Sequence, residues 1–255
     1  MEALKRVRDW ITTIPTLVGF GGVLLVADPI LRVMRLFGER AMSVVAQWAQ
    51  AALLSVFRLS GARISVERSP ALRDAEGYLL VSNHQSMVDI PLIGGTFRFN
   101  FPKFVTKKEL SKWIPTVSFN VRAGGHLIID RAKGSEAVAR MRDFGRASQG
   151  KGVSPVIFVE GSRSRDGRLK EFKRAGLAAL MEAAPDLKVV PVAIDGSWKL
   201  LKDKFLPVPW GVDLRIRFLD PIDRTGDEDP DDVLQRVREG IQATLDSWRT
   251  GPAPA

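Results

Sequence analysis

Residues 82–91 read SNHQSMVDIP, which places a histidine and an aspartate five positions apart in a 255-residue chain that has only two histidines. The pair can act as one unit. A carboxylate bonded to one imidazole nitrogen fixes the ring's tautomer and orientation, and leaves the other nitrogen free to take a proton. Imidazole titrates near neutrality, which suits it to draw the proton from an alcohol that attacks a carbonyl. The spacing sets a condition. On a continuous helix, residues five apart diverge by about 140° around the axis, so His84 and Asp89 meet only if the chain turns between them. A histidine in a loop and an aspartate in the first turn of the next helix satisfy it. The same letters carry a plainer reading, with Ser86 as the helix cap and Asp89 completing a capping box. Pro91 fits the start of that helix and would break it further in.

Ser86 stands beside the histidine, but no G-x-S-x-G nucleophile elbow occurs anywhere in the chain. A substrate hydroxyl is therefore the expected target of His84. A second cluster follows an apolar run in FVEGSRS, residues 158–164. Backbone amides freed at Gly161, the hydroxyl of Ser162 and the guanidinium fork of Arg163 suit a phosphate monoester. The stretch GRASQGKG at residues 145–152 has the gap of a phosphate-binding P-loop. It ends in Gly152, where a magnesium-binding hydroxyl is required, and it follows a helical pattern instead of a strand.

Composition narrows the chemistry further. There is no cysteine, so disulfides, thiolate metal sites and a cysteine nucleophile are excluded, and two distant histidines make no zinc site. The net charge of +9 is unevenly placed: residues 98–174 hold 18 Lys and Arg against 7 Asp and Glu, so the remainder sums to −2. A basic middle third points to a phosphate-bearing partner, either an anionic membrane surface, nucleic acid or a phosphorylated substrate.

The elements that must position these groups can be read from hydropathy. ARISVE, GYLLVSN, FNFPKFVTK, GHLIID, SPVIFVE, LKVVPVAI and VDLRIRFL predict strands, and three amphipathic stretches from residues 133, 172 and 229 predict helices. The alternation predicts an α/β domain with a mainly parallel or mixed sheet flanked by helices. In such sheets the reactive edge lies past the carboxyl ends of the strands. That rule collects Asn83-His84, Lys107-Lys108, Arg131 and the Glu160–Arg163 run at one edge.

Ahead of this domain, residues 10–27 and 41–57 are free of charged side chains. As helices they span about 27 and 26 Å, slightly short of a ~30 Å hydrocarbon core. They predict a two-helix hairpin over residues 1–58 that dips into one membrane leaflet, with a turn at Asp28-Pro29, a break at Gly38, and arginines at the headgroups. The α/β domain then covers residues 59–250, and residues 251–255 form a disordered tail.

Four blocks in order resemble the glycerophospholipid acyltransferases, in particular those acting on 1-acylglycerol-3-phosphate. They are NHQSMVD, TKKELSKWIP with GGHLIIDR, FVEGSRS, and VVPVAI, covering roughly residues 60 to 200. The resemblance implies that His84 is the base and Asp89 its orienting partner. It implies that Lys107, Glu160, Gly161, Ser162, Arg163 and Arg131 bind the substrate phosphate, and that no metal or cofactor is used. It further implies transfer of an acyl chain from acyl-CoA or acyl-carrier protein to a lysophospholipid at a membrane surface, on the cytoplasmic face of the cell membrane, with no nucleic acid as partner. Val159 and Ser162 stand where the family usually has proline and threonine, which leaves another lysolipid, a lyso-ornithine lipid or a lysophospholipid with a head group, as the alternative acceptor. A basic membrane-binding module without catalysis is the reading from another class.

Overall fold

The computed structural model describes residues 2–130, 133–200, 206–224, 226 and 228–250. In chain order the elements are α1 (Glu2–Leu36), α2 (Glu39–Val56), β1 (Arg63–Arg68), β2 (Leu79–Ser82), α3 (Asp89–Thr96), β3 (Pro102–Lys107), α4 (Val117–Ala123), β4 (Leu127–Ile129), α5 (Gly134–Ser148), β5 (Ser154–Phe158), α6 (Arg174–Ala183), β6 (Val189–Asp195), α7 (Ser197–Leu200), β7 (Asp213–Phe218) and α8 (Pro230–Thr250). All seven predicted strands are present. They form one sheet in the order β1-β7-β6-β2-β5-β3-β4. The five strands from β6 to β4 run parallel, β7 runs antiparallel to β6, and β1 is parallel to β7.

β2 sits near the centre, and its four residues are all buried. That explains its unbroken apolar letters, because both faces of an interior parallel strand are covered. Leu79 and Val81 pack with Leu177, Leu180, Val237 and Ile241 from α6 and α8 on one face. Leu80 joins Leu92, Ile93, Val190 and Ile216 on the other. β2 is therefore fixed from both sides, and so is the loop that leaves it.

The N-terminal segment departs from expectation at one point. The chain does not turn at Asp28-Pro29; α1 runs through both α1 prolines to Leu36, and the break comes at Gly38, whose φ of 106° suits glycine. Pro29 removes the N–H that would reach the Leu25 carbonyl, and the contacts around it hold the helix from outside. Asp28 bonds Arg32 one turn on at 2.8 Å and accepts the Thr116 amide at 2.6 Å, while the Thr116 hydroxyl donates to the Leu24 carbonyl. α1 is also tied to the body at Thr13, which accepts the Val208 amide at 2.8 Å.

Even so, α1 leaves Ile11, Ile14, Leu17, Val18, Leu25 and Val26 exposed. Both N-terminal helices are long and apolar enough to cross a membrane by length and composition. α2 turns its inner face to α3, and the crossing is close: a Cβ on Gly95 would lie 2.8 Å from the Ala51 backbone. The helix that begins with Asp89 is thus pressed directly against the hairpin.

Candidate active site

β2 ends at Ser82, and the next residue controls the exit. The Asn83 amide donates to the Ile194 carbonyl and accepts the Ile194 N–H, both at 2.9 Å, so its side chain continues the β2–β6 ladder after the backbone has left it. His84 is held on three sides. Its N–H donates to Glu160 Oε1 at 3.1 Å, its carbonyl accepts the Ser164 N–H at 2.7 Å, and its ring stacks on Phe158 with centroids 4.0 Å apart.

The chain then bends through Gln85–Ser86 and enters α3 at Asp89. His84 Nδ1 lies 2.8 Å from Asp89 Oδ2. The same oxygen accepts the backbone N–H groups of Gln85 at 2.6 Å and Ser86 at 2.9 Å, and Oδ1 accepts the Ser197 hydroxyl. Of the capping box only the acid's half is formed, because Val88 precedes α3 with no side-chain cap and the Ser86 hydroxyl accepts the Val88 N–H at 3.2 Å. Asp89 closes back on Ser86 as a capping carboxylate does, and it orients the imidazole. With Nδ1–H donating to the carboxylate, the hydrogen-bond pattern assigns a lone pair to Nε2, which has no partner among the described residues.

The Glu160–Arg163 run follows β5, the neighbour of β2. The register Ser82↔Phe158 puts Glu160 level with His84. β3 lies on the far side of β5 with Phe104 opposite Val156, which places Lys107 near the level of Val159. At ~4.8 Å per strand, Lys107 stands about 10 Å from the β2 axis. Gly161 takes a φ of 66°, the left-handed conformation that lets the strand exit turn sharply. Ser162 and Arg163 are exposed, and Lys170 joins them, its Nζ 3.1 Å from Ser162 Oγ and 2.7 Å from the Arg163 carbonyl. Asp130 at the end of β4 pairs with Lys108 at 2.6 Å. Arg131 lies outside the described residues.

Glu160 stands apart from its neighbours. It is buried, 2% exposed, and faces the His84 backbone instead of the open edge. Its geometry is that of a positioning residue, with the basic and hydroxyl groups around it left to meet an anion. Burial is the main cause that pushes its carboxyl up to about 7, against the lowering effect of the His84 amide. His126, enclosed below Phe104 with Nδ1 accepting the Phe104 N–H at 3.0 Å, is pushed down to about 3 by burial and then by Lys103.

These two groups bend the stability curve in opposite ways. Between about 4.5 and 7 the folded chain keeps a Glu160 proton that the unfolded chain has lost, so Glu160 makes stability fall as pH rises. Below about 6.5 the unfolded chain binds a His126 proton that the folded chain refuses, so His126 makes stability rise with pH. The slopes offset one another from about 4.5 to 6.5. Glu160→Gln, which keeps an acceptor for the His84 amide, isolates the first effect. The variant should match wild type in denaturant unfolding at pH 4.5, and exceed it at pH 8 by up to roughly 3 kcal/mol. Equal stability at both pH values would refute the raised carboxyl.

An apolar cavity of about 300 Å³ opens beside Met87, three residues beyond His84. Leu17 and Phe20 of α1, Ala49 and Leu53 of α2, Phe104 of β3 and Val121 of α4 wall it. It lies between the hairpin and the sheet. Among the described residues, no three His, Asp or Glu side chains gather in a way that could hold a metal ion.

Ser197 carries a part of the site that the motifs did not single out, and Asn83, already placed at the edge with His84, gains its role there from Ile194. Ser197 follows β6, the strand on the other side of β2, so the carboxyl-end rule points to it once the exit of VVPVAI is included with the others.

A model of the family described as acyltransferase matches residues 63–195, a span that holds His84, Asp89, Lys107 and Glu160–Arg163. The chain is 28% identical over 187 residues to an uncharacterized acyltransferase of Schizosaccharomyces pombe, covering 72% of this chain and 65% of that one. It is 30% identical over 150 residues to a 1-acyl-sn-glycerol-3-phosphate acyltransferase of Cocos nucifera, covering 56% and 45%. It is 26% identical over 192 residues to the human 1-acyl-sn-glycerol-3-phosphate acyltransferase alpha, covering 74% and 66%. The matches thus span about half to two thirds of these relatives' lengths. The crystal structure of the 1-acyl-sn-glycerophosphate (LPA) acyltransferase PlsC from Thermotoga maritima superposes with a TM-score of 0.76 over 98% of this chain and 100% of that one. At 22% identity, that likeness is one of fold.

Proposed function

This chain belongs to the acyltransferase family, and we propose that it moves a fatty acyl chain from acyl-CoA or acyl-carrier protein to the sn-2 hydroxyl of 1-acylglycerol-3-phosphate, giving phosphatidic acid. The observation that carries this reading is the His84–Asp89 pair at the carboxyl edge of the sheet, with Nε2 unpartnered among the described residues. Nε2 takes the proton of the acceptor hydroxyl as its oxygen attacks the thioester carbonyl. The tetrahedral adduct collapses, the carbon–sulfur bond breaks, and the leaving sulfur receives the proton from Nε2–H. An ester has formed, a thiol has left, and the base is regenerated. The thioester is already activated, so the reaction draws on no cofactor.

The apolar cavity beside Met87 is the proposed berth of an acyl chain. The acceptor phosphate is assigned to Arg163, Ser162, the Gly161 turn and Lys107, and Arg131 remains a proposed ligand. The exposed apolar side chains of α1 support work at a membrane surface, and we place it on the cytoplasmic face, where thioester donors are made.

The test is the formation of phosphatidic acid from lysophosphatidic acid and a long-chain acyl-CoA, or the acyl-carrier-protein thioester, in detergent micelles, followed by mass spectrometry. Arg163→Ala should raise KM for lysophosphatidic acid about tenfold or more with a smaller change in kcat, since a charge-assisted hydrogen bond contributes about 1.5–3 kcal/mol. The same variant should behave like wild type toward monoacylglycerol, which lacks the phosphate. No product from either thioester donor would overturn the reading.

A further inference from the structure

The loop between β3 and α4 carries a feature that acyl transfer does not use. Trp113 is 95% exposed and adopts a φ of 68°, so a large apolar ring is held in water on a backbone that side-chain-bearing residues rarely take. It lies in the sequence among the exposed lysines Lys107, Lys108 and Lys112, of which Lys108 pairs with Asp130 at 2.6 Å. Arg122 of α4 folds back on the same loop, its guanidinium donating to the Ser111 carbonyl.

The loop's position gives this meaning. Leu110 and Thr116, on either side of Trp113, both line the apolar cavity. Thr116 is bonded to α1 at Leu24 and Asp28, and the next residues of that helix, Leu25 and Val26, are among its exposed apolar side chains. The tryptophan therefore stands at the rim of the cavity on a loop tied to α1, the helix that carries the exposed apolar side chains. An amphipathic ring with cations around it is matched chemically by one environment, the headgroup layer of a bilayer containing anionic lipid.

We propose that residues 107–115 form a second membrane contact, in which Trp113 seats at the headgroup level of an anionic bilayer and holds the cavity rim against it. The proposal rests on the membrane-surface part of the reading above, and the two can fail separately.

Because the chain has no cysteine, single cysteines report cleanly. Trp113→Cys, Val18→Cys on α1 and Gln235→Cys on α8 would each be labelled in the full chain with a polarity-sensitive dye. The labelled proteins would be added to vesicles of phosphatidylcholine with 30% phosphatidylglycerol, and iodide quenching measured. The dye at 113 should shift to the blue and lose at least threefold in quenching relative to the dye at 235. On phosphatidylcholine alone, or with Lys112→Glu added, that protection should weaken, since each lysine near an anionic surface is worth about fivefold in binding. If the dye at 18 is protected and the dye at 113 is quenched like that at 235, the loop contact is wrong and the helical one stands. If neither is protected, both are wrong.

Discussion

Replacing His84 with alanine is expected to lower kcat by about a thousandfold, within the 10²–10⁴ range of a positioned general base, while KM and the fold change little. The fold should survive because the lost groups leave few orphans. Asp89 Oδ2 keeps the Gln85 and Ser86 amides, Oδ1 keeps Ser197, and the backbone bonds from residue 84 to Glu160 and Ser164 do not involve the ring. The stacking partner Phe158 loses one face, a loss of about 1 kcal/mol. KM should hold because the imidazole acts on a proton that moves in the transition state, and the bound acceptor is held elsewhere. Phosphatidic acid formation and thermal unfolding, measured on the same preparation, check this. A folded variant with wild-type kcat would remove His84 from the chemistry.

The sheet was legible because its interior strands are written in apolar letters and β1 and β7 in alternation. GYLLVSN and SPVIFVE are covered on both faces, and an interior parallel strand has no other way to be written. The carboxyl-edge rule then brought His84 and Glu160–Arg163 together from positions 76 and more residues apart, and the register places Glu160 level with His84.

Two things escaped the letters for physical reasons. Asp28-Pro29 carries a turn signal, but contacts from outside hold the helix through it, and their source, Thr116, lies 88 residues away. Glu160 sits in a run of basic and hydroxyl residues, which reads as one ligand set. Its direction is decided by the alternation of the chain and by the His84 amide facing it, neither of which a motif states. The same limit hid Ser197 and the role of Asn83: each is a common polar residue defined by its partner, on α3 for the first and on β6 for the second.

Asp89→Asn separates the two roles that its carboxylate combines. The amide has one oxygen and one NH2 group, and the surroundings decide which goes where. Three donors converge on Oδ2, from His84 Nδ1, Gln85 and Ser86, whereas Oδ1 meets a hydroxyl that can turn to accept instead. The asparagine oxygen should therefore take the Oδ2 place, and its NH2 should donate to Ser197. Capping, tautomer and ring orientation are all retained. What disappears is the negative charge that faces the imidazolium as it forms. Stability should stay within about 1 kcal/mol of wild type, and kcat should fall on the order of a hundredfold, less than for His84→Ala. Asp89→Ala removes the acceptor altogether and strands two buried amides. It should lose several kcal/mol of stability, at about 1–3 kcal/mol for each unsatisfied group. Denaturant titration and kcat for both variants give the answer. An asparagine variant with wild-type kcat would make Asp89 a helix cap that happens to touch a histidine. A stable variant with a crippled kcat would show that the buried charge, beyond its capping, is what the base requires.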